Sequence, residues 1–517
     1  MRSVSGGCGI ANGASTPPPA DEQLVIGNGQ SLSTGTNQAP ISLTQFRNNG
    51  KLSDSLGTTS GYVLASPTAP TLSRVPLVAP QKPIPGGLNS YPKNTTGESI
   101  EISLANQLTA LALADGYRDW DMSASCTGMA SQPMANIQKG GNSHAYEAGI
   151  YEALALQNLA TLAGRSFSVF AVSLKHGETD AENAQGTHTT SPAAYLAQLV
   201  ALQANYQVDV PANGMRISHP SGVLPMVMSQ QNAAPGALGG HNITADAMLQ
   251  AARLYPALFI LTGPTYPYPN DGIYHPNEYR PLGEKASQFL YKWWKGLDYA
   301  PLWPTSIVRS GTNVTVNLHV PVGPLVWDTT TIPAPHQTGI WSMWANAMGF
   351  EAWDNPLVVA SATNASPSVV GFTTTHNLTT GATYALEGIC DSTATAGNNA
   401  VNGVWTVTVV DPTHVSLNGS TGNGTYVSGG VGFAPIAFAS APTISGNSVN
   451  LVLSRAPTTG LKIAYAGHAD GPYNSIGGPF RSGNLRDSDT YVGRSWKPPM
   501  PRAYYADWCV EFVQDVA

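Results

Sequence analysis

Between residues 21 and 298 the chain alternates short apolar runs with helical patterns, and few folds accept that order. The runs QLVIG (23–27), YRDWDMSAS (117–125), FSVFAVSL (167–174), VLPMVMS (223–229) and ALFILTG (257–263) read as five strands. Between them come SLANQLTALALADG (103–116), AYEAGIYEALALQNLATLAG (145–164), SPAAYLAQLVALQANY (191–206) and TADAMLQAARLY (244–255). A last helical stretch, EKASQFLYKWWKGL (284–297), closes the series. Leu104, Leu108 and Leu111 recur at helical spacing, as do Leu156, Leu159 and Ala163. Each crossover helix returns the chain to the same end of the sheet, so the strands pair in parallel and are covered on both faces. The expected fold is therefore an α/β, three-layer one. The connection from about 30 to 100, rich in Gly, Pro, Ser and Thr, is too long for a simple crossover and is expected to form loops over the site.

After about residue 300 the pattern changes. NVTVNLHV (313–320), NSVNLVLS (447–454) and GLKIAYAG (460–467) alternate with period two, the mark of a β-rich second domain. Inside it the block 358–434 is different again, with short strands and Thr/Asn/Gly turns. It resembles a small β module of phage tail proteins, in which phrases such as HNLTTG, NGVWTVTVVD and LNGSTGNGTY are typical. The expected organisation is a flexible leader (1–20), an α/β domain (21–300), a sandwich-like β accessory domain (301–357 and 435–517) and an inserted β module (358–434).

Composition narrows the partners. Only 11% of the 517 residues are charged, while Gly (53) and Pro (40) are abundant. Such loop- and strand-rich surfaces are common in extracellular and virion proteins, which is the expected location. A net charge of −7 without Lys/Arg clusters argues against nucleic acid. No run of about 18 apolar residues occurs, so no membrane span is expected. The start, MRSVSGGCGIANGASTPPPADE, lacks the apolar core of a signal peptide. Cys8, Cys126, Cys390 and Cys509 are scattered, without a CxxC pair, and read as mostly free and buried.

The chemistry starts where the first apolar run, Leu24 to Ile26, gives way to Gly-Asn-Gly-Gln-Ser. A strand ending in this way presents Ser31 at the carboxyl edge of a parallel sheet, where open α/β sheets bind ligands. Ser31 is thus either a nucleophile or the cap of the next helix. A nucleophilic serine needs a base, usually His, and a group that orients it. Asp271 and His275, in NDGIYHPNEYRPLGEKASQF (270–289), lie between the fifth strand and the closing helix. The third strand, in turn, ends in His-Gly-Glu-Thr-Asp, His176 to Asp180.

Together these blocks resemble the SGNH hydrolase superfamily in its sialate O-acetylesterase-like branch. There the first block reads Gly-Gln-Ser, here Gly29-Gln30-Ser31; the third reads Gln-Gly-Glu-Ser-Asp, here His176-Gly177-Glu178-Thr179-Asp180. The last carries the acid and base, here Asp271 and His275, before Leu282-Gly283. The resemblance covers about 21–298 and continues through VPVGPLVWDTT (320–330) and GNLRDSDT (483–490). It implies a flavodoxin-like sheet and a Ser31–His275–Asp271 acyl-transfer site that needs no metal and no cofactor. The oxyanion would be held by the backbone of Ser31 and by Gly128, with Ser131 close behind, and by His176. Gln30 and Glu178 would face the substrate, and Tyr266 and Tyr268 of YPYP would stack on a sugar ring. The implied substrate is an acetylated polysaccharide of a bacterial surface, and the chain would form a homo-oligomer or attach to a phage tail. Two departures are visible: three residues, not two, separate Asp271 from His275, and His176 replaces the usual Gln.

Other readings compete. Asp411 and His414 of DPTH have the family's Asp-x-x-His spacing but lie in the β module. His241 follows the fourth strand as a loop histidine. His176, Glu178, Asp180 and His188 could gather a metal, although no helical His-x-x-x-His supports it. Glu178 and Asp180 could form a glycosidase pair, but two residues apart on one loop they rather brace it. Tyr291, Trp293 and Trp294 read as core. A non-catalytic carbohydrate-binding or structural tail protein that kept the fold is the alternative to an esterase.

Overall fold

The computed structural model describes residues 20–35, 42–53, 66–79, 97–117, 119–182, 191–232, 242–268, 279–332, 339–391, 400–468, 481–491 and 504–516. Its first half runs β1 (Glu22–Gly29), β2 (Gly50–Leu52), β3 (Arg74–Pro76), α1 (Ile100–Ala114), β4 (Asp121–Ala124), α2 (Met134–Ile137), α3 (Ala145–Leu162) and β5 (Phe167–Lys175). It continues with α4 (Glu178–Glu182), α5 (Pro192–Ala212), β6 (Arg216–Ile217), β7 (Met226–Gln230), α6 (Ile243–Leu254), β8 (Phe259–Pro264) and α7 (Arg280–Trp294).

These strands form one sheet in the order β3-β2-β4-β1-β5-β7-β8, with β6 beside β5. All pairings are parallel except β2 with β3. The five strands read from the sequence, β1, β4, β5, β7 and β8, therefore stand in the order 2-1-3-4-5, the flavodoxin-like arrangement. In that order the chain leaves β1 for one side and then returns to the other. The crevice this opens lies at the carboxyl ends of β1 and β5.

Both faces are covered, as the alternation demanded. Leu24, Ile26, Val169 and Val172 point to one side, where they meet Leu156, Leu199 and Met248 of α3, α5 and α6. Val25, Ala171, Val227 and Ile260 point to the other, against Leu104, Leu108, Phe289 and Leu290 of α1 and α7. Each fully buried Leu of this kind contributes about 1.5–3 kcal/mol. Tyr291 and Trp293 belong to the second core, with Trp294 packed on it, as expected, and Trp120 joins them there.

Two local expectations change. The connection 30–100 holds more than loops: β2 and β3 extend the sheet, with Gly50 paired to Ser123. Three-residue strands carry too little period to be read from sequence. Helix α5 also runs past residue 206 to Ala212, because Tyr206 and Val210 are fully buried and hold the extra turns down. Its start is as the sequence suggests, with the Ser191 side chain accepting the Ala194 N–H and Pro192 in the first turn.

The second half is β-rich. It comprises β9 (Trp303–Ser310), β10 (Asn313–His319), β11 (Val326–Trp327), β12 (Phe350–Ala362), β13 (Val369–Phe372), β14 (Thr383–Asp391), β15 (Gly403–Asp411) and β16 (His414–Leu417). Then follow β17 (Tyr426–Pro435), β18 (Thr443–Ser445), β19 (Ser448–Val452), β20 (Lys462–Tyr465), β21 (Leu485–Arg486) and β22 (Phe512–Asp515). One sheet has the order β18-β19-β10-β9, β11 pairs with β21, and the largest runs β13-β16-β15-β14-β17-β12-β20-β22. The block 358–434 has its own small core around Val370, Phe372, Tyr384, Val407 and Leu417. Its sheet nevertheless continues into the surrounding domain, because β12 and β17 cross residues 357–358 and 434–435 without a break. Residues 1–19 of the expected leader lie outside the described residues.

Candidate active site

The end of β1 is built around small residues for visible reasons. A Cβ on Gly27 would meet the Ser125 carbonyl at 2.5 Å and the Glu101 side chain at 2.7 Å, so this position carries none. Asn28 folds its Oδ1 back to accept the Gly29 N–H at 2.7 Å, and its Nδ2 donates to Tyr206 Oη at 3.0 Å. Gly29 has φ of 146°, open to glycine, and packs directly on the Lys175 carbonyl. The Gln30 N–H donates to that same carbonyl at 3.1 Å.

Ser31 then opens a 3₁₀ turn, Ser31–Thr34, which Gly35 (φ 72°) closes by donating its N–H to the Ser31 carbonyl. Ser33 Oγ donates to the Gln30 carbonyl at 2.7 Å and Thr34 Oγ1 to the Ser31 carbonyl at 2.8 Å. Every residue from Glu22 to Gly35 is buried except Ser31, which is half-buried. The turn thus holds one partly accessible hydroxyl-bearing side chain at the switch point between β1 and β5.

The first and third motif blocks meet here. Gln30 Nε2 donates to Glu178 Oε2 at 2.7 Å, and Gln30 Oε1 accepts from Thr179 Oγ1 at 2.6 Å. Asp180 Oδ2 accepts the Met134 N–H at 2.7 Å and so ties the third block to the first residue of α2. Gly128 lies against the Ser31–Thr34 turn: a Cβ there would overlap Ser33 Oγ and reach the Gly29 carbonyl at 2.8 Å. The next residue, Met129, donates its N–H to that carbonyl at 2.9 Å. Ser131 is exposed and left-handed, with φ of 58°.

Several expected roles change in this geometry. Gln30 and Glu178 are each 1% exposed and bonded to one another, so they brace the turn and do not face a substrate. His176 is fully buried with both ring nitrogens engaged. Its Nε2 donates to the Gln132 carbonyl at 2.9 Å, and its Nδ1 lies 2.8 Å from Tyr195 Oη. A carbonyl can only accept, so the Nε2 proton is committed and His176 has none to offer an oxyanion. Tyr266 is 4% exposed, donates its hydroxyl to the Cys509 carbonyl at 2.6 Å and stands edge-on to Trp508. Tyr268 is 7% exposed, donates to the Tyr504 carbonyl at 3.0 Å and packs with Leu32, Ile100, Tyr279 and Leu282. Neither ring is open to stack on a sugar. Asp271 and His275 lie outside the described residues, as do His188 and His241.

The competing constellations resolve differently. Glu178 and Asp180 are each 1% exposed and serve separate braces, so they form no open carboxylate pair. Among the described residues no group of three His, Cys, Asp or Glu side chains is placed to hold a metal. Asp411 and His414 do bond, with Nδ1 2.9 Å from Oδ2, but on an exposed turn of the β module. Beneath the site two ionisable groups are fully buried. Burial pushes the Glu101 carboxyl up to about 7, against hydrogen bonds that include one from Ser173 Oγ at 3.1 Å. Burial likewise holds the Lys175 ammonium below the ordinary lysine range, while Glu178, 4.0 Å away, opposes that shift. Lys175 and Ser33 belong to this constellation although no motif singles them out.

No family model matches this sequence, and no curated protein does. Among solved structures the chain is similar to a carbohydrate acetylesterase from Xanthomonas citri, at 14% identity and a TM-score of 0.44, over 96% of this chain and 80% of that one. It is similar to a protein from Arabidopsis thaliana at 14% identity and a TM-score of 0.33, over 53% of this chain and 98% of the other. A third similarity, to NanS, has 10% identity and a TM-score of 0.27, over 48% and 79% of the two chains.

Proposed function

We propose that this protein is a serine esterase that removes O-acetyl groups from a carbohydrate. The observation that carries this reading is Ser31, half-buried in an otherwise buried turn at the switch point of a 2-1-3-4-5 sheet. In this reading Ser31 Oγ attacks the ester carbonyl while His275 takes its proton and Asp271 fixes the imidazole tautomer. The carbonyl electron pair moves onto oxygen, where the N–H groups of Ser31 and Gly128 would receive it. Collapse expels the sugar hydroxyl with the proton from His275, and water then cleaves the acetyl-enzyme by the same steps. The hydrogen bonds that hold Gln30 to Glu178 and Thr179 keep the turn in place throughout. Attack at preset distance is worth several kcal/mol of barrier, which is what such a braced turn supplies.

The substrate we infer is an acetylated polysaccharide of a bacterial surface, met outside the cell or on a virion, and we assign the β block 358–434 to attachment or oligomerisation in a tail. Acetate release from a panel of acetylated polysaccharides, by wild type and by Ser31→Ala, tests the reading directly. Fluorophosphonate labelling followed by peptide mass spectrometry should place the adduct on Ser31. A label elsewhere, or full activity in Ser31→Ala, removes the assignment and favours a carbohydrate-binding role.

A further inference from the structure

Lys175 ends β5 and touches the Gln30–Ser31 turn by two routes. Its backbone carbonyl accepts the Gln30 N–H at 3.1 Å. Its ammonium lies 4.0 Å from Glu178 Oε1, and Glu178 Oε2 accepts from the Gln30 side chain at 2.7 Å. The lysine is 1% exposed, and among the described residues its Nζ makes no hydrogen bond. It lines a cavity of ≈ 10 Å³ with Ile100, Ser173, Ser229, Thr262 and Leu282. That space suits a single water and excludes a sugar, so Lys175 does not meet the substrate.

A buried lysine is costly, and one that reaches no substrate must repay the cost inside the fold. The neighbouring chemistry says how. Attack by Ser31 on an ester adds one negative charge to the reacting oxygen, beside Gln30. Glu178 braces Gln30 through a carboxylate, and in a water-excluded interior that charge would oppose the new one. We propose that Lys175 is a positioning residue that neutralises Glu178, so that the turn is braced by a strong acceptor at no net charge beside the oxyanion. This rests on the serine-esterase reading above.

The test is a charge-balanced pair of substitutions, with 4-nitrophenyl acetate as the probe and the thermal midpoint read beside each rate. Lys175→Met leaves Glu178 unbalanced, and its kcat should fall about tenfold or more with KM within about twofold. Lys175→Met with Glu178→Gln removes both charges and should return kcat to within about threefold of wild type. Lys175→Arg, which keeps the charge, should stay closer to wild type than Lys175→Met does. If Lys175→Met alone does not fold, the double variant is compared with wild type on the same threefold criterion. A double variant whose midpoint recovers while its kcat stays as low as that of Lys175→Met overturns the proposal, because Lys175 would then serve stability alone. Unchanged kcat in Lys175→Met overturns it as well. Failure of the underlying reading is seen separately, as wild-type hydrolysis that is absent or survives Ser31→Ala.

Discussion

Glu387 Oε2 lies 3.2 Å from Nε2 of His468, although Glu387 belongs to the inserted block and His468 to the domain around it. The other ring nitrogen of His468 bonds to Glu351, whose second oxygen accepts the N–H groups of Gly467 and His468. Trp341, Trp344, Trp353 and Phe433 surround the imidazole, the closest ring centroid 4.4 Å away. A protonated imidazole between two carboxylates and four aromatic rings is stabilised by ion pairing and by cation–π attraction together.

This contact sets the expected outcome of excising 358–434 with a Gly/Ser bridge. Hydrolysis of a small ester should survive, since Ser31 and its braces stand on the other sheet. Stability should fall, because the excision also removes Glu387 and parts of β12 and β17. Glu387→Gln alone should cost about 1.5–3 kcal/mol, the scale of a hydrogen bond to a charged group. Urea unfolding of the three proteins checks both statements, and an excised chain as stable as the full one would count the contact as unimportant.

Glu101 should make stability fall as pH rises. Its carboxyl is pushed up to about 7 by burial, against an ordinary value of 4.5. Below pH 4.5 it is protonated in both folded and unfolded chains and changes nothing. Between 4.5 and about 7 the unfolded chain ionises first, so stability drops, and above about 7 the loss is complete. At about 1.4 kcal/mol per unit the loss is roughly 3 kcal/mol. Glu101→Gln should therefore be neutral near pH 4 and stabilising by up to that amount near pH 8, by urea titration at both values. His468 acts with the same sign. Burial pulls it down, but the charge of Glu351 and bonds to both carboxylates raise it to about 10. Its contribution is complete below 6.5 and is lost as pH rises through about 10.

Two roles for His176 give opposite kinetics. Loss of an oxyanion donor costs about 10²–10³ in kcat from a protein that stays folded. Loss of a buried brace lowers stability and spares kcat in the molecules that remain folded. His176→Ala should follow the second course, with a destabilisation of about 1–3 kcal/mol from the orphaned Gln132 carbonyl and Tyr195 hydroxyl. Active-site titration with a fluorophosphonate, beside circular dichroism, separates the two.

The three residues between Asp271 and His275 can be tested in the same way. If the extra residue bulges outward, Asp271→Asn should lower turnover about 10⁴-fold, as in a well-aimed triad. If it swings the acid away, the loss should be about tenfold, and the protein works as a Ser–His dyad. We expect the larger loss, because Gly272 permits a bulge and Pro276 restricts the chain after His275. A His275→Ala variant that keeps more than a few per cent of its turnover overturns both versions.

What the sequence determined by itself is whatever repeats within a few residues. Alternation of apolar runs with 3.6-residue patterns specified five parallel strands and their helices, and Gly29-Gln30-Ser31 marked the strand end at which a hydroxyl is presented. Tertiary structure decided which polar side chains remain available at that end. Gln30 meets Glu178 from 148 positions away, and Tyr266 meets the Cys509 carbonyl from 243 away. Nothing local to Gln30 or Tyr266 encodes such a partner. A motif names the residue type, but a buried donor or acceptor must be satisfied by whatever the fold brings to it, and here that turned expected substrate contacts into braces. The same holds for Lys175, whose apolar strand forecasts its burial and whose charge acquires meaning only beside Glu178.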